Sequence, residues 1–283
     1  MKMKMNMALV AGALALSMAG QASATIVTGQ TGSSDLILTV WDSVANTSYT
    51  KDLGVSLSSF LSGVTGTNTA LTATGASAIA VDALGNKTFA ADTLLSSYLS
   101  TANTASLVWN VSAEDNTGSL NFQQKQLITT TAANPKSAAN SLSSVTANQQ
   151  LQTAIGNYDL YLQAANSNSG TATSMTAGSA DAWIAKPNQT NTSVAFNTTG
   201  TLDSTLNFWY LTPSTSGAVA KASVAQFQGV THAATWTLAS NGNLTYSVGA
   251  VPEPGEWLLM LSGLGLIGFI ATRRKNAGSM TFA

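Results

Sequence analysis

The chain reads as mainly β, an antiparallel sheet or sandwich with one or two helices near 135–166, between an N-terminal signal helix and a C-terminal transmembrane helix. Three observations predict this. Residues 25–250 are dense in Ser, Thr, Asn, Ala and Gly, and short β-branched or aromatic runs recur there between turn residues. Within 135–166, apolar residues recur at helical spacing. Each end of the 283-residue chain carries an uncharged apolar run beside basic residues.

The first element is the leader, residues 1–24. Lys2 and Lys4 precede the apolar run Met7–Ala19, which matches the length of a secretion-signal core and is short for a bilayer span. Ala22 and Ala24 put small side chains where a signal peptidase reads them, so cleavage after Ala24 starts the mature chain at Thr25. Signal peptidase and the secretion machinery are therefore expected partners.

Residues 25–250 form the expected exported passenger domain. Its candidate strands are Leu36–Trp41, Ser48–Lys51, Ala78–Val81, Ser106–Ser112, Gln126–Thr131, Ser193–Asn197, Thr205–Leu211, Val224–Gln228, Ala234–Ala239 and Leu244–Val248. Residues 166–178 and 211–217 read as loops. The last two strands fix a register. A two-residue Asn241-Gly242 turn would split Trp236 and Leu238 from Leu244 and Tyr246 onto opposite faces. A three-residue loop with Gly242 left-handed pairs Leu238 with Leu244 and Trp236 with Tyr246, and buries one face.

The helix is signalled by Leu151, Ile155, Tyr158, Leu162 and Ala165 on one face, with Leu142 and Val145 on the other. Two helices or a bent one fit 135–166, with Asn134 as cap and Pro135 in the first turn. Gly156 costs such a helix about 1 kcal/mol relative to alanine.

The tail, 251–283, has three parts. Residues 257–271 carry no charge, and Arg273, Arg274 and Lys275 follow. Leu258, Leu259, Leu261, Leu264, Leu266, Ile267, Phe269 and Ile270 favour insertion by about 4 kcal/mol together, and each basic residue at the bilayer centre would cost about 3 kcal/mol. The basic trio therefore stops transfer and stays cytoplasmic, leaving the passenger outside the inner membrane. Fifteen residues give only about 22 Å of helix against a core of about 30 Å, which suits a transient anchor. Ahead of it, Pro252, Glu253 and Pro254 enforce an extended stretch that joins neither a helix nor a central strand and stays accessible to a cutting enzyme.

Pro252-Glu253-Pro254, a short glycine-bearing apolar helix and a basic cluster in that order resemble the PEP-CTERM family over about the last 30 residues. The resemblance implies recognition by exosortase, a membrane enzyme thought to cut near the Pro-Glu-Pro motif and pass its substrate to the cell surface or a polysaccharide matrix. On that resemblance the three residues are another enzyme's substrate. The alternative is an ordinary single-span anchor behind a proline linker. The run Asp35–Asp42 with Ser48–Gly54 also looks like the first strand pair of one group of PEP-CTERM passengers, a likeness that implies no activity.

The passenger offers little chemistry. Six lysines stand against ten acids in 25–250, a balance of −4 without arginine, which argues against nucleic acid as a partner. Cysteine is absent, so no disulfide and no thiolate site is expected. His232 is the sole histidine and no Gly-x-Ser-x-Gly elbow accompanies it, so it is read as structural, and no metal or cofactor is expected. Asp42, Asp52, Glu114 and Asp115 are read as solvated turn carboxylates rather than a glycosidase pair. Trp41, Trp109, Trp183, Trp209, Tyr210 and Trp236 are read as core rather than a sugar-stacking platform. The expectation is a non-enzymatic surface or matrix protein, structural or adhesive, that meets extracellular polysaccharide. A secreted carbohydrate-binding or carbohydrate-active protein is the alternative.

Overall fold

The computed structural model describes residues 26–42, 44–45, 47–67, 70–74, 79–131, 148–166, 172–176, 198–214, 217–218, 220, 222–229, 233–249 and 260–270. In chain order they form β1 (Asp35–Asp42), β2 (Thr47–Ser56), α1 (Leu57–Phe60), β3 (Thr65–Thr67), β4 (Ala70–Thr74), β5 (Asn86–Phe89) and α2 (Thr93–Thr101). There follow β6 (Leu107–Asp115), β7 (Gln126–Thr131), α3 (Asn148–Asn166), β8 (Ala172–Thr176), β9 (Thr205–Pro213), β10 (Ala222–Gln228), β11 (Thr235–Leu238) and β12 (Leu244–Ser247). A last helix, α4, covers 260–270.

The twelve described strands make one mainly antiparallel sheet, curled as a half-barrel, in the order β3-β4-β10-β9-β7-β6-β1-β2-β8. It forks at β9. Trp209–Pro213 pair with β10, while Thr205–Asn207 pair with β11, which leads through β12 to β5. Among the described strands the one parallel contact is β10 with β4, through Phe227 opposite Ala73 and Gln228 opposite Thr74.

Strand alternation sorts side chains onto two faces. One face carries Leu36, Leu38, Val40, Trp109, Val111, Ala113, Ile128, Phe208 and Phe227, and closes over α1, α2 and the β11-β12 branch. Phe60 of α1 is the hub of that core, edge-on to Phe208, Phe227 and Tyr246 at centroid distances of 5.3, 4.8 and 6.0 Å. The other face alternates in its polarity. Ile37, Trp41, Leu127, Trp209 and Leu211 meet Leu151, Ile155, Tyr158, Leu162 and Ala165 of α3. Between them lie Thr39, Thr50, Asn110, Ser112, Glu114 and Thr129, all buried although their residue types are those of a wetted face.

The starts of α1 and α2 are set by side-chain caps. Asp92 accepts from the Leu95 N–H at 2.8 Å to begin α2, and Ser56 accepts from Ser59 to begin α1. The hairpin register is the three-residue one, Trp236 opposite Tyr246 and Leu238 opposite Leu244, with Gly242 at φ +84°.

Several expectations are corrected. Residues 79–81 of the candidate strand Ala78–Val81 are not in a strand, although Ile79 is buried in the core. The loop expected over 166–178 contains β8, which adds to the edge of β2, and β9 continues to Pro213, taking the first three residues of the loop expected over 211–217. Strands β3, β4 and β5 and helices α1 and α2 add to the expected set. Of 135–166, α3 takes 148–166, while Asn134, Pro135, Leu142 and Val145 lie outside the described residues, as does Ser193–Asn197.

Candidate functional site

Within α4, Met260, Leu261, Leu264, Leu266, Ile267, Phe269 and Ile270 are between 50% and 66% exposed. At 100° per residue these positions go all round the axis, so the helix has no polar face to turn toward water. Each such side chain gains about 1.5–3 kcal/mol on full burial, and the sheet does not supply that burial. Eleven helical residues rise about 16 Å. Among the described residues no helix is long and apolar enough to cross a membrane. The flanking Pro252, Glu253, Pro254, Arg273, Arg274 and Lys275, and Ala22 and Ala24 of the leader, lie outside the described residues.

In the passenger the four carboxylates singled out in the sequence do not converge. Asp42 caps the turn after β1 as expected but is buried there rather than solvated, at 1% exposure. Burial acts to raise its pKa, but donors outweigh it and hold it below the ordinary value: Ser106 Oγ at 2.7 Å and the Val44, Ala45 and Asn103 N–H groups at 2.9, 3.1 and 3.2 Å. Asp115 is a turn carboxylate that accepts from the Thr117 N–H at 2.8 Å. Asp52 lies beside Asp35 instead. Burial pushes its carboxyl up to about 6, the Gly54 N–H at 2.7 Å opposes, and Asp35 adds to the rise.

Glu114 overturns the reading of a solvated turn carboxylate. It sits on the α3 side of β6 with 0% exposure, facing Asp159 of α3, which is 1% exposed. The apolar spacing along α3 does not mark Asp159. The signal was available: Asp159 stands four residues after Ile155, inside the buried stripe. Burial, followed by the Asp159 charge, pushes Glu114 up to about 10, and the Gly29 N–H opposes. Gly29 closes over this carboxyl so tightly that a Cβ there would stand 2.9 Å from Glu114 Cγ, Cδ and Oε1.

The aromatic residues are core. Trp41, Trp109, Trp209, Tyr210 and Trp236 are at most 2% exposed, and Trp109 Nε1 donates to the Thr201 carbonyl at 2.8 Å. Trp183 and His232 lie outside the described residues. Among the described residues no three His, Cys, Asp or Glu side chains group as metal ligands.

Comparison with protein families finds a PEP-CTERM protein-sorting motif at residues 250–275. That match takes in Pro252-Glu253-Pro254, all of α4 and the Arg273-Arg274-Lys275 cluster, and it implies an exported protein anchored at the membrane before processing. No curated protein and no solved structure matches the chain.

Proposed function

We propose that this protein is an exosortase substrate whose sheet domain is exported behind the leader, held for a time by its C-terminal helix, and then released to the cell surface or extracellular matrix. The observation that carries this reading is the sorting motif at 250–275 coinciding with a helix that is apolar on every side and uncovered by the sheet. Such a helix is costly in water and stable in lipid, where its backbone groups are satisfied within the helix. The described 260–270 covers part of the 257–271 stretch; Trp257 and the basic trio would complete a short span by sitting at the two interfaces.

The passenger acts in this reading as a structural or adhesive, non-catalytic domain. Its one glutamate, Glu114, is sealed beneath α3 and Gly29, where a sugar cannot reach it, and its described tryptophans are spent on the core. A carbohydrate-active site would need two carboxylates open to a cleft, with room for sugar and water. Contact with matrix polysaccharide then falls to the polar outer surface.

The test is a Pro252→Ala, Glu253→Ala, Pro254→Ala variant expressed in the native host. The wild-type protein should fractionate with the cell surface or matrix and the variant should accumulate in the inner membrane. Identical fractionation of the two would count against exosortase sorting.

A further inference from the structure

The contact between α3 and the sheet contains an arrangement that export does not explain. Glu114 from β6 and Asp159 from α3 face one another at 0% and 1% exposure, and Glu114 Oε1, Glu114 Oε2 and Asp159 Oδ1 have no hydrogen-bond partner. The fourth oxygen, Asp159 Oδ2, accepts from Gln163 Nε2 at 2.9 Å. Three buried acceptors without a donor are costly, and two ionised carboxylates in that space would also repel each other.

The other charged and titratable groups around the pair do not supply the missing donor. Lys125, on the β7 side, spends its Nζ on Asn116, at 2.7 Å to the carbonyl and 2.8 Å to Oδ1. Tyr158 of α3 donates to the Ser112 carbonyl at 3.1 Å, and Tyr161 shares its hydroxyl with Thr50. Asp115 adjoins on β6, and Asp52 with Asp35 lies beyond Tyr158; these add negative charge only. From the turn at Gly29 the backbone N–H approaches the Glu114 carboxyl and opposes its rise, but it completes a hydrogen bond to neither oxygen.

One proton resolves this. An O–H placed on either carboxyl donates to the other, forms a short charge-assisted bond and removes the repulsion. We propose that Glu114 and Asp159 are a proton-operated latch, in which one shared proton clamps α3 against the sheet and its loss in alkaline medium frees the helix. The shifted ionisation agrees, since burial and Asp159 push Glu114 from 4.5 up to about 10 while α3 is docked. The docked state holds a proton that the undocked state gives up, so docking is strongest below about pH 4.5 and weakens about tenfold per pH unit up to about pH 10.

The latch is independent of the tail's fate and is tested on the full-length chain in detergent micelles. Amide exchange of 151–165 is followed at pH 6, 7 and 8, each rate divided by its intrinsic value. Wild-type protection should fall about tenfold per unit. Glu114→Gln, which keeps the shape and a permanent donor, should flatten the profile, and Asp115→Asn should leave it sloped. If Glu114→Gln does not fold, infrared spectroscopy of the wild-type protein decides: a protonated-carboxyl band must persist at pH 8. A pH-independent wild-type profile, the wild-type slope retained in Glu114→Gln, or the absence of that band would overturn the proposal. Protection that followed added calcium and vanished with chelator at every pH would also overturn it, the pair then holding a cation.

Discussion

Tyr49 donates its hydroxyl to Asp92 Oδ2 at 2.7 Å, tying the first half of β2 to the residue that caps α2. The phenol has 0% exposure, and Lys51 closes on the same oxygen at 3.2 Å. Asp92→Ala removes a cap worth about 1 kcal/mol and strands the buried Tyr49 hydroxyl for about 1–3 kcal/mol more. A loss of roughly 2–4 kcal/mol in denaturant unfolding is expected. Tyr49→Phe removes the hydroxyl together with its need for a partner, so it should cost only about 0.5–1.5 kcal/mol. Equal costs for the two variants would contradict this arrangement.

The dependence of stability on pH should have its maximum on the acid side of neutrality. Asp42 and Asp92 are held below their ordinary value of 3.8, each against burial, which acts to raise it: Asp42 by Ser106 and backbone N–H groups, Asp92 by Leu95, Tyr49 and Lys51. Their contribution is present above about pH 4 and lost as pH falls through their folded values. Glu114 and Asp52 are raised and act in the opposite sense, so stability is lost from about pH 4 to 6 through Asp52 and on to about 10 through Glu114. Thermal midpoints measured from pH 3 to 10 should peak near pH 4 and decline above it. A maximum above pH 8 would contradict these assignments.

Phe60 packs edge-on against three rings on β9, β10 and β12, so it joins both arms of the forked sheet. Phe60→Ala should cost about 3–5 kcal/mol by equilibrium unfolding, through lost burial and the cavity it leaves. A cost under 1 kcal/mol would mean the fork closes without it.

Two glycine-to-alanine substitutions should act in opposite directions. Gly85 has φ +75°, and a Cβ there would stand 1.6 Å from the Gly249 carbonyl oxygen, on backbone that Gly85 itself holds by accepting from the Val248 N–H at 2.9 Å. Gly85→Ala should cost several kcal/mol or prevent folding. Gly156 lies within α3 with open space where an added Cβ would stand, so Gly156→Ala should stabilise by up to about 1 kcal/mol. Thermal melting of the two variants checks both signs.

Strands were legible in the sequence where alternation was written in large apolar residues, as in Leu36-Leu38-Val40 and Phe208-Tyr210. The final hairpin was legible down to its register, because only one loop length puts Trp236, Leu238, Leu244 and Tyr246 on one face. Strand β8, Ala172–Thr176, was not legible, since Ala-Thr-Ser-Met-Thr looks like linker and is a strand by virtue of pairing with β2. Helix α2 was hidden by serines, although Asp92 and the apolar Leu95, Tyr98 and Leu99 mark its cap and inner face. Glu114 was misread because Glu114-Asp115-Asn116-Thr117-Gly118 has turn composition. Its partner in burial is a helix more than thirty residues away, and no local rule brings Asp159 over it. The sorting motif needs no such partner. Its three parts are contiguous in the chain, and that is why it could be read from one end of the sequence.

Intact-mass analysis of the protein recovered from the envelope of its native host tests sorting most directly. Processing at both ends requires a mature species that begins at Thr25 and stops near Pro252, without α4 or the basic trio. Recovery of a species that still ends at Ala283 would contradict release and leave the helix as a permanent anchor.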